Sequence, residues 1–311
     1  MDDDTVESLM KRPDPQWELL RFAVVDSNKP DEQIGALHFE VVREGTPEYE
    51  TNKHIAWIYP EVLATHRRHG IGRRLLIEAA KMVRERDRSL ILLGSDEDDG
   101  KAFIEAINAQ IAQHTRESRL YLDAVDWHMV EEWAEDGPQR SPDTTPRFFA
   151  NYIPEAIIED FSDALTEVFN QIPRDELDIG DEIMTPERIR QWEARFRDAG
   201  GTRLSAITQE ADGDISGLTE MGYFPDKETF IHQYMTGVRE KYRGRGLGKW
   251  LKAAMLLRVR EEFPQVKVVV TGNATSNAAM LSINERLGFK PHKEGVLAQV
   301  TLRSLEAYLA R

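Results

Sequence analysis

Two short stretches of this chain place arginine and glycine at a spacing suited to holding an anion. The second, residues 238–248, reads VREKYRGRGLG and runs directly into KWLKAAMLLRV. Arg243 and Arg245 bring positive charge, and Gly244, Gly246 and Gly248 lead into a helix. Its apolar positions Leu247, Trp250, Leu251 and Ala254 follow the i, i+3, i+4, i+7 rhythm of one buried face. Glycine lets the backbone approach a ligand closely and reach φ > 0 without a Cβ clash. The first N–H groups of a helix have no internal partner and sit at the positive end of its dipole. A strand, a glycine loop and a helix N-terminus in that order predict a phosphate site. The first stretch, 62–72, reads VLATHRRHGIG before RRLLIEAAKMV, and its Arg67, Gly70 and Gly72 match Arg243, Gly246 and Gly248 at one constant offset. Val62 and Arg68 complete this second candidate site, and the repetition predicts an internal duplication. The glycines run G-x-G-x-G, which fails the dinucleotide fingerprint. Trp250 after Lys249 fails the P-loop, which needs Ser or Thr there.

The elements that must position these loops are those of a two-domain chain. A length of 311 residues suits two cores better than one. No apolar run approaches the ~20 residues that span a bilayer. The acidic start, MDDDTVESLMKR, lacks a signal-peptide core. Cysteine is absent, which removes disulfides, thiolate metal sites and a cysteine nucleophile and fits a cytoplasmic protein. The net charge of −15, with basic clusters confined to the two loops, argues against nucleic-acid binding and for a small anionic ligand. The histidines are scattered, and no cluster has metal-ligand spacing, so no metal is expected.

In chain order, 5–12 reads as a short helix, 17–25 and 34–42 as a hairpin, 55–63 as a strand, 72–86 as a helix and 90–93 as a buried strand. The acidic run GSDEDDG, 94–100, reads as a loop that repels an anion, followed by a helix over 101–111 and a strand over 119–125. Asp126 caps a helix that Gly137 and Pro138 are expected to stop. PQRSPDTTP is the best linker, so the expected domains are 1–138 and 139–311. The second half reads as strand 147–153, helix 155–171, a helix from Thr185-Pro186 to Gly200-Gly201, and a hairpin of 203–209 with 215–223. Strand 230–238, helix 247–262, strand 266–271, a helix over 277–287 capped by Gly288, and a final strand pair follow. The class is α/β, a mixed sheet flanked by helices. The first half repeats this order from its hairpin onward and lacks the opening strand and helix. Either it begins truncated or Met1 is not the native start.

R-x-x-G-x-G between a strand and a helix resembles motif A of the GNAT superfamily of acyl-CoA-dependent N-acyltransferases. TGNATSNAAMLSINERLGF, 271–289, resembles its motif B, an Asn-bearing helix ending in L-G-F. The resemblance covers most of 147–311 and, more weakly, 17–125. Two tandem GNAT-fold domains, each a mixed, mostly antiparallel sheet flanked by helices, are similar to actinobacterial tandem members, the mycothiol synthases among them. The resemblance implies acetyl-CoA as cosubstrate, its pyrophosphate on the backbone of Arg243, Gly244, Arg245, Gly246, Leu247 and Gly248. It places the pantetheine arm along Met235, Thr236, Gly237 and Val238, with the Val238 N–H as oxyanion donor, and Asn277 on the cofactor. It implies N-acetyl transfer to a primary amine of a small molecule, without nucleic acid or membrane, by a monomer or homodimer. The first loop lacks an Asn like Asn277 and an L-G-F ending, so a degenerate first domain that scaffolds the second is expected.

An ammonium of pKa ~10.4 must lose a proton before it attacks a thioester. Glu220, on strand 215–223, is the candidate base. Tyr234 and His232 alternate along their strand with Gln233 and Met235, so one pair is expected to face the cleft. In the family a Tyr three residues before L-G-F protonates the leaving thiolate. Asn284 stands there, donates a hydrogen bond but transfers no proton, and leaves the acid role to Tyr234, to Tyr242 or to no group. That departure opens an alternative, a non-catalytic acyl-CoA-binding sensor.

Overall fold

The computed structural model describes residues 16–26 and 29–311; the expected helix over 5–12 lies outside them. The first elements are β1 (Trp17–Asp26), β2 (Lys29–Val42), the single turn α1 (Tyr49–Asn52), β3 (Ile55–Val62), α2 (Ile71–Glu85), β4 (Leu90–Ser95), α3 (Asp98–Ala106) and β5 (Gln110–Tyr121). Next come α4 (Trp127–Arg140), β6 (Thr145–Ala150), α5 (Ile158–Asn170), α6 (Pro186–Asp198), β7 (Thr202–Gln209) and β8 (Ile215–Tyr223). The chain closes with β9 (Phe230–Val238), α7 (Leu247–Glu262), β10 (Val268–Ala274), α8 (Ala278–Leu287), β11 (Lys290–Thr301) and α9 (Leu302–Leu309).

The described chain divides into two compact units. The first holds residues up to 115 together with 174–181 and 294–311, and the second holds 116–173 and 182–293. The division therefore departs from the expected cut at 138/139, because β5 and α4 pack with the later elements. In the first unit the strand order is β1-β2-β3-β4-β11, and β11 pairs antiparallel with β4 from Val296↔Ser95 to Thr301↔Leu90. In the second it is β5-β10-β9-β8-β7-β6. Each sheet is mixed: β3 with β4 and β9 with β10 are parallel, while β2 with β3, β7 with β8 and β8 with β9 are antiparallel. Leu76, Ala79 and Val83 of α2 pack on Phe39, Ile58 and Ile91 of the first sheet. In the second, α7 (Leu251, Met255, Val259) covers one face and α5 (Phe161, Leu165, Val168) the other.

Four local readings change. The acidic 94–100 run is no free loop: Asp98 and Asp99 form the first turn of α3, where carboxylates meet the positive end of the helix dipole. That helix ends at Ala106, and the expected helical segment beyond it starts β5, whose pairing overrides a weak local preference. Helix α4 runs through Pro138 to Arg140, and Gly137 serves close packing, not a helix stop: a Cβ there would come within 2.1 Å of the Trp250 indole. Instead of a final strand pair the chain has β11 and then α9, whose cap Thr301 accepts from the Ser304 N–H. Among the described residues the first unit has no counterpart of β6, α5 and α6 ahead of its hairpin. No helix there is long and apolar enough to cross a membrane.

Candidate active site

The site of the second unit begins where two parallel strands part. β9 and β10 pair from Phe230↔Val268 to Gln233↔Thr271 and no further, although β9 runs on to Val238 and β10 to Ala274. The edge of β9 beyond Gln233 is thereby left without a strand partner. On its other edge β9 stays paired with β8 to Val238↔Gly217, but the register shifts: Glu220 faces Met235 and Met221 faces Gln233, leaving Tyr234 as the extra residue. A bulge bends a strand and re-aims the side chains after it. Here it breaks the expected alternation. Gln233 turns to the α7 side, where its amide donates to Thr219 Oγ1 at 3.0 Å. Met235 joins the α5 core, and Gly237 lies under Val168, whose Cγ1 would be 2.1 Å from a Cβ. His232 and Tyr234 stack with ring centroids 6.2 Å apart, and Tyr234 packs edge-on against Phe196 of α6.

The glycine loop follows. Gly244 and Gly246 both have φ +82°, and Gly246 is the left-handed N-cap of α7. A Cβ on Gly244 would meet no atom within 4 Å, so its backbone lies open. The leading N–H groups of α7, those of Leu247 and Gly248, have no intrahelical acceptor. Asp214 anchors the approach to the loop, accepting from Arg239 Nη1 (2.5 Å), Lys241 Nζ (2.6 Å) and Tyr242 Oη (2.7 Å). Against the effect of burial, Lys241, Tyr242 and Arg239 hold its pKa down to about 2.

Strand edge, loop and α8 enclose a cavity of about 580 Å³. Thr236, Gly237, Val238, Arg243, Gly244, Gly246, Leu247, Gly248 and Asn277 all line it. Asn277 also caps α8, its Oδ1 accepting from the Met280 N–H at 3.3 Å. Arg243 donates from Nη2 to Gln171 Oε1 at 2.5 Å and from Nε to the Val238 carbonyl at 3.4 Å. Lys249 lies in the wall, and burial, then Arg286 and Arg140, depress its pKa. For two of the expected cofactor residues, whose expected role is through the backbone, the side chains turn away from the cavity. The Met235 side chain is core, and the Arg245 guanidinium is taken by Glu210 (3.0 and 3.1 Å) and Thr144 (2.5 Å).

The expected catalytic residues are not in the cavity wall. Glu220 is 4% exposed, paired with Arg203 at 2.5 Å and accepting from Ser205 Oγ at 2.9 Å. Asn284 is 2% exposed and donates to Asn273 Oδ1 at 3.0 Å. Tyr234 is 53% exposed on the α6 side, and burial of part of its ring raises its phenol pKa, which keeps it protonated at neutral pH. Burial, then Lys227, lowers the pKa of His232, which keeps its imidazole neutral. The sequence reading missed the end of α5: Val168, Gln171, Ile172 and Pro173 close one wall. Helix amphipathicity announces a buried face but not which cavity it borders, so no local signal could have found them. Among the described residues no cluster of His, Cys, Asp or Glu is placed to hold a metal ion.

Comparison with known proteins supports the same reading. Residues 156–289 match the acetyltransferase (GNAT) family model. No curated protein sequence matches the chain. Among solved structures, the chain is similar to a tandem GNAT protein from the clavulanic acid biosynthesis pathway, with 24% identity, TM-score 0.75, and 96% of this chain and 87% of that one covered. It is also similar to a GCN5-related N-acetyltransferase from Sphaerobacter thermophilus, with 16% identity, TM-score 0.63, and coverage of 97% and 86%. At such identities the likeness is one of fold alone, and the family match stands at residues 156–289. Residues 156–289 are thus an acetyltransferase (GNAT) family domain, in a chain whose fold is similar to that of a tandem GNAT protein.

Proposed function

We propose that the second unit transfers an acetyl group from acetyl-CoA to a primary amine of a small molecule. The residues present fit the donor. Gly244 and Gly246 form an open, left-handed cradle, the first N–H groups of α7 point from a helix N-terminus, and Arg243 stands at the rim. The free edge of β9 at Thr236, Gly237 and Val238 offers main-chain groups to an extended amide-bearing arm, as an added strand would use them. When bound, acetyl-CoA supplies the electrophilic thioester carbonyl and the thiol leaving group.

The rest is work for the chain's own groups. The Val238 N–H is the assigned oxyanion donor on the open edge. Tyr234 and His232 lie together at the bulge that ends the paired part of β9. His232, kept neutral, is the assigned acceptor for the ammonium proton, and Tyr234, kept protonated, is the assigned proton donor. Glu220, tied into its pair with Arg203, is reassigned from direct base to a positioning role behind them. Asn284 faces Asn273 and has no assigned part, and a thiol of pKa ~8.5 leaves with little help.

The observation that carries this reading is the parting of β9 and β10 onto a cavity floored by the glycine loop. Calorimetry with acetyl-CoA tests it, with thiol release followed across a panel of primary amines. Absence of binding by the unmodified chain sinks the reading. Tight binding without turnover on any amine converts it to the sensor alternative.

A further inference from the structure

The first unit carries the same loop, and its backbone is nearly the same. Arg68 and Gly70 have φ +65° and +78°, where Gly244 and Gly246 have +82°. Arg67 Nε donates to the Val62 carbonyl at 3.1 Å, as Arg243 does to Val238. The parallel ladder of β3 and β4 stops at Trp57↔Leu92, so this pair of strands parts too. A helix follows each inner strand, α3 with Glu97 as N-cap and α8 with Asn277. The cavity between these parts, however, is about 280 Å³ against about 580 Å³.

Three residues set the first site apart from the second. Counting from the caps, Asp99 stands where α8 has Ala279, and Asp99 Oδ2 lies 2.6 Å from Arg67 Nη1. Phe103 stands where α8 has Ile283, and its ring would be 3.1 Å from a Cβ on Gly72, against 3.6 Å from Ile283 to one on Gly248. Pro60 stands two residues before Val62, where β9 has Thr236 two before Val238. Proline has no N–H, and in a sheet it sits where that N–H would face away from the ladder. Here that is the open edge, the one along which an extended ligand would pair.

We infer that Asp99, Phe103 and Pro60 close the first glycine loop to acyl-CoA and so decide which unit holds the donor. This rests on the second loop being a donor site. The Arg67–Asp99 bond is not itself the barrier, because an exposed ion pair alters an affinity by less than about fivefold. The barrier is a carboxylate placed at the anion cradle, added to the lost main-chain donor and the filled volume. In the second unit Ala279, Ile283 and Thr236 impose none of these.

The test is calorimetric titration of the full chain with acetyl-CoA. The unmodified chain should bind one equivalent. Ala279→Asp, which copies Asp99 into the second unit beside Arg243, should weaken binding at least about a hundredfold, while Ala279→Asn should stay within a few-fold. Combining Asp99→Ala, Phe103→Ile and Pro60→Thr should open a second site of measurable affinity. The same three changes on a Gly246→Glu background should leave one site, now in the first unit. Circular dichroism melting confirms that each variant is folded. Two equivalents bound by the unmodified chain would overturn the inference. So would wild-type affinity of Ala279→Asp, equal losses for Asp and Asn, or a folded triple variant that gains nothing. No binding by the unmodified chain, with binding by the triple variant, would refute the donor reading of the second unit and leave the closure standing.

Discussion

The two glycine loops share a backbone and differ in what surrounds it. The first keeps Arg68 in the left-handed region, which costs a non-glycine residue about 1 kcal/mol, where the second has Gly244. Loop shape is therefore held by the flanking strand and helix, and it does not by itself select a ligand. Selection lies with residues on other elements: Asp99 and Phe103 on α3 against Ala279 and Ile283 on α8, and an unbulged β3 against a bulged β9. At the bulge the second unit exposes Tyr234, whereas Ile58, four residues before Val62 as Tyr234 is before Val238, is fully buried.

Breaking the second unit's own features should sharpen that contrast, and the largest effect is expected at its buried ion pair. Glu220→Gln leaves the Arg203 guanidinium buried without its counter-charge and should cost about 3–5 kcal/mol of stability, read from urea unfolding. Next, Gly246→Glu places a carboxylate and a Cβ at a left-handed position in the anion cradle. It should weaken acetyl-CoA binding at least about a hundredfold, roughly 3 kcal/mol, while Gly70→Glu should leave that binding unchanged.

A third contrast lies inside the helices. Lys252 of α7 is 1% exposed with its Nζ 5.3 Å from the Phe289 ring, and the matching position of α2 is the buried Leu76. Burial pushes the Lys252 pKa down to about 7. The unfolded chain then binds a proton that the folded chain lacks between pH 7 and about 10.4, so this residue makes stability rise with pH across that window. Lys252→Leu should raise stability at pH 7 by on the order of 2 kcal/mol and flatten that slope, seen as melting temperature against pH. The smallest effect is expected at the bulge. Tyr234→Phe should lower kcat about tenfold with the donor affinity unchanged. His232→Gln should remove the acidic limb of the kcat/KM profile, a limb that lies below the ordinary histidine range because the neutral form is favoured.

Much of the donor site could be read from residue types. Helix starts at Thr185-Pro186 and Asn277, the stop at Gly288, and the glycine turn before Leu247 follow from local backbone chemistry, and all are present. The acidic 94–100 run misled in its local structure, because it was read as a loop when Asp98 belongs to a helix start and Asp99 reaches across to Arg67. Arg245 misled for the same kind of reason: Glu210, far away in sequence, takes its guanidinium.

The sequence by itself determined the repeated loop, the order of strands and helices around it, and the family whose motifs it carries. These rest on glycine φ preferences, helix caps and apolar periodicity, each set by residues within a turn or two of one another. Only the tertiary structure decided that β11 closes the sheet of the first unit, that a bulge turns Tyr234 out of the ladder, that Glu220 is sealed by Arg203, and that Asp99 sits in the first loop. Those outcomes depend on strand register and on pairs of charges brought together from distant positions, and no local preference encodes a partner that folding has yet to bring near.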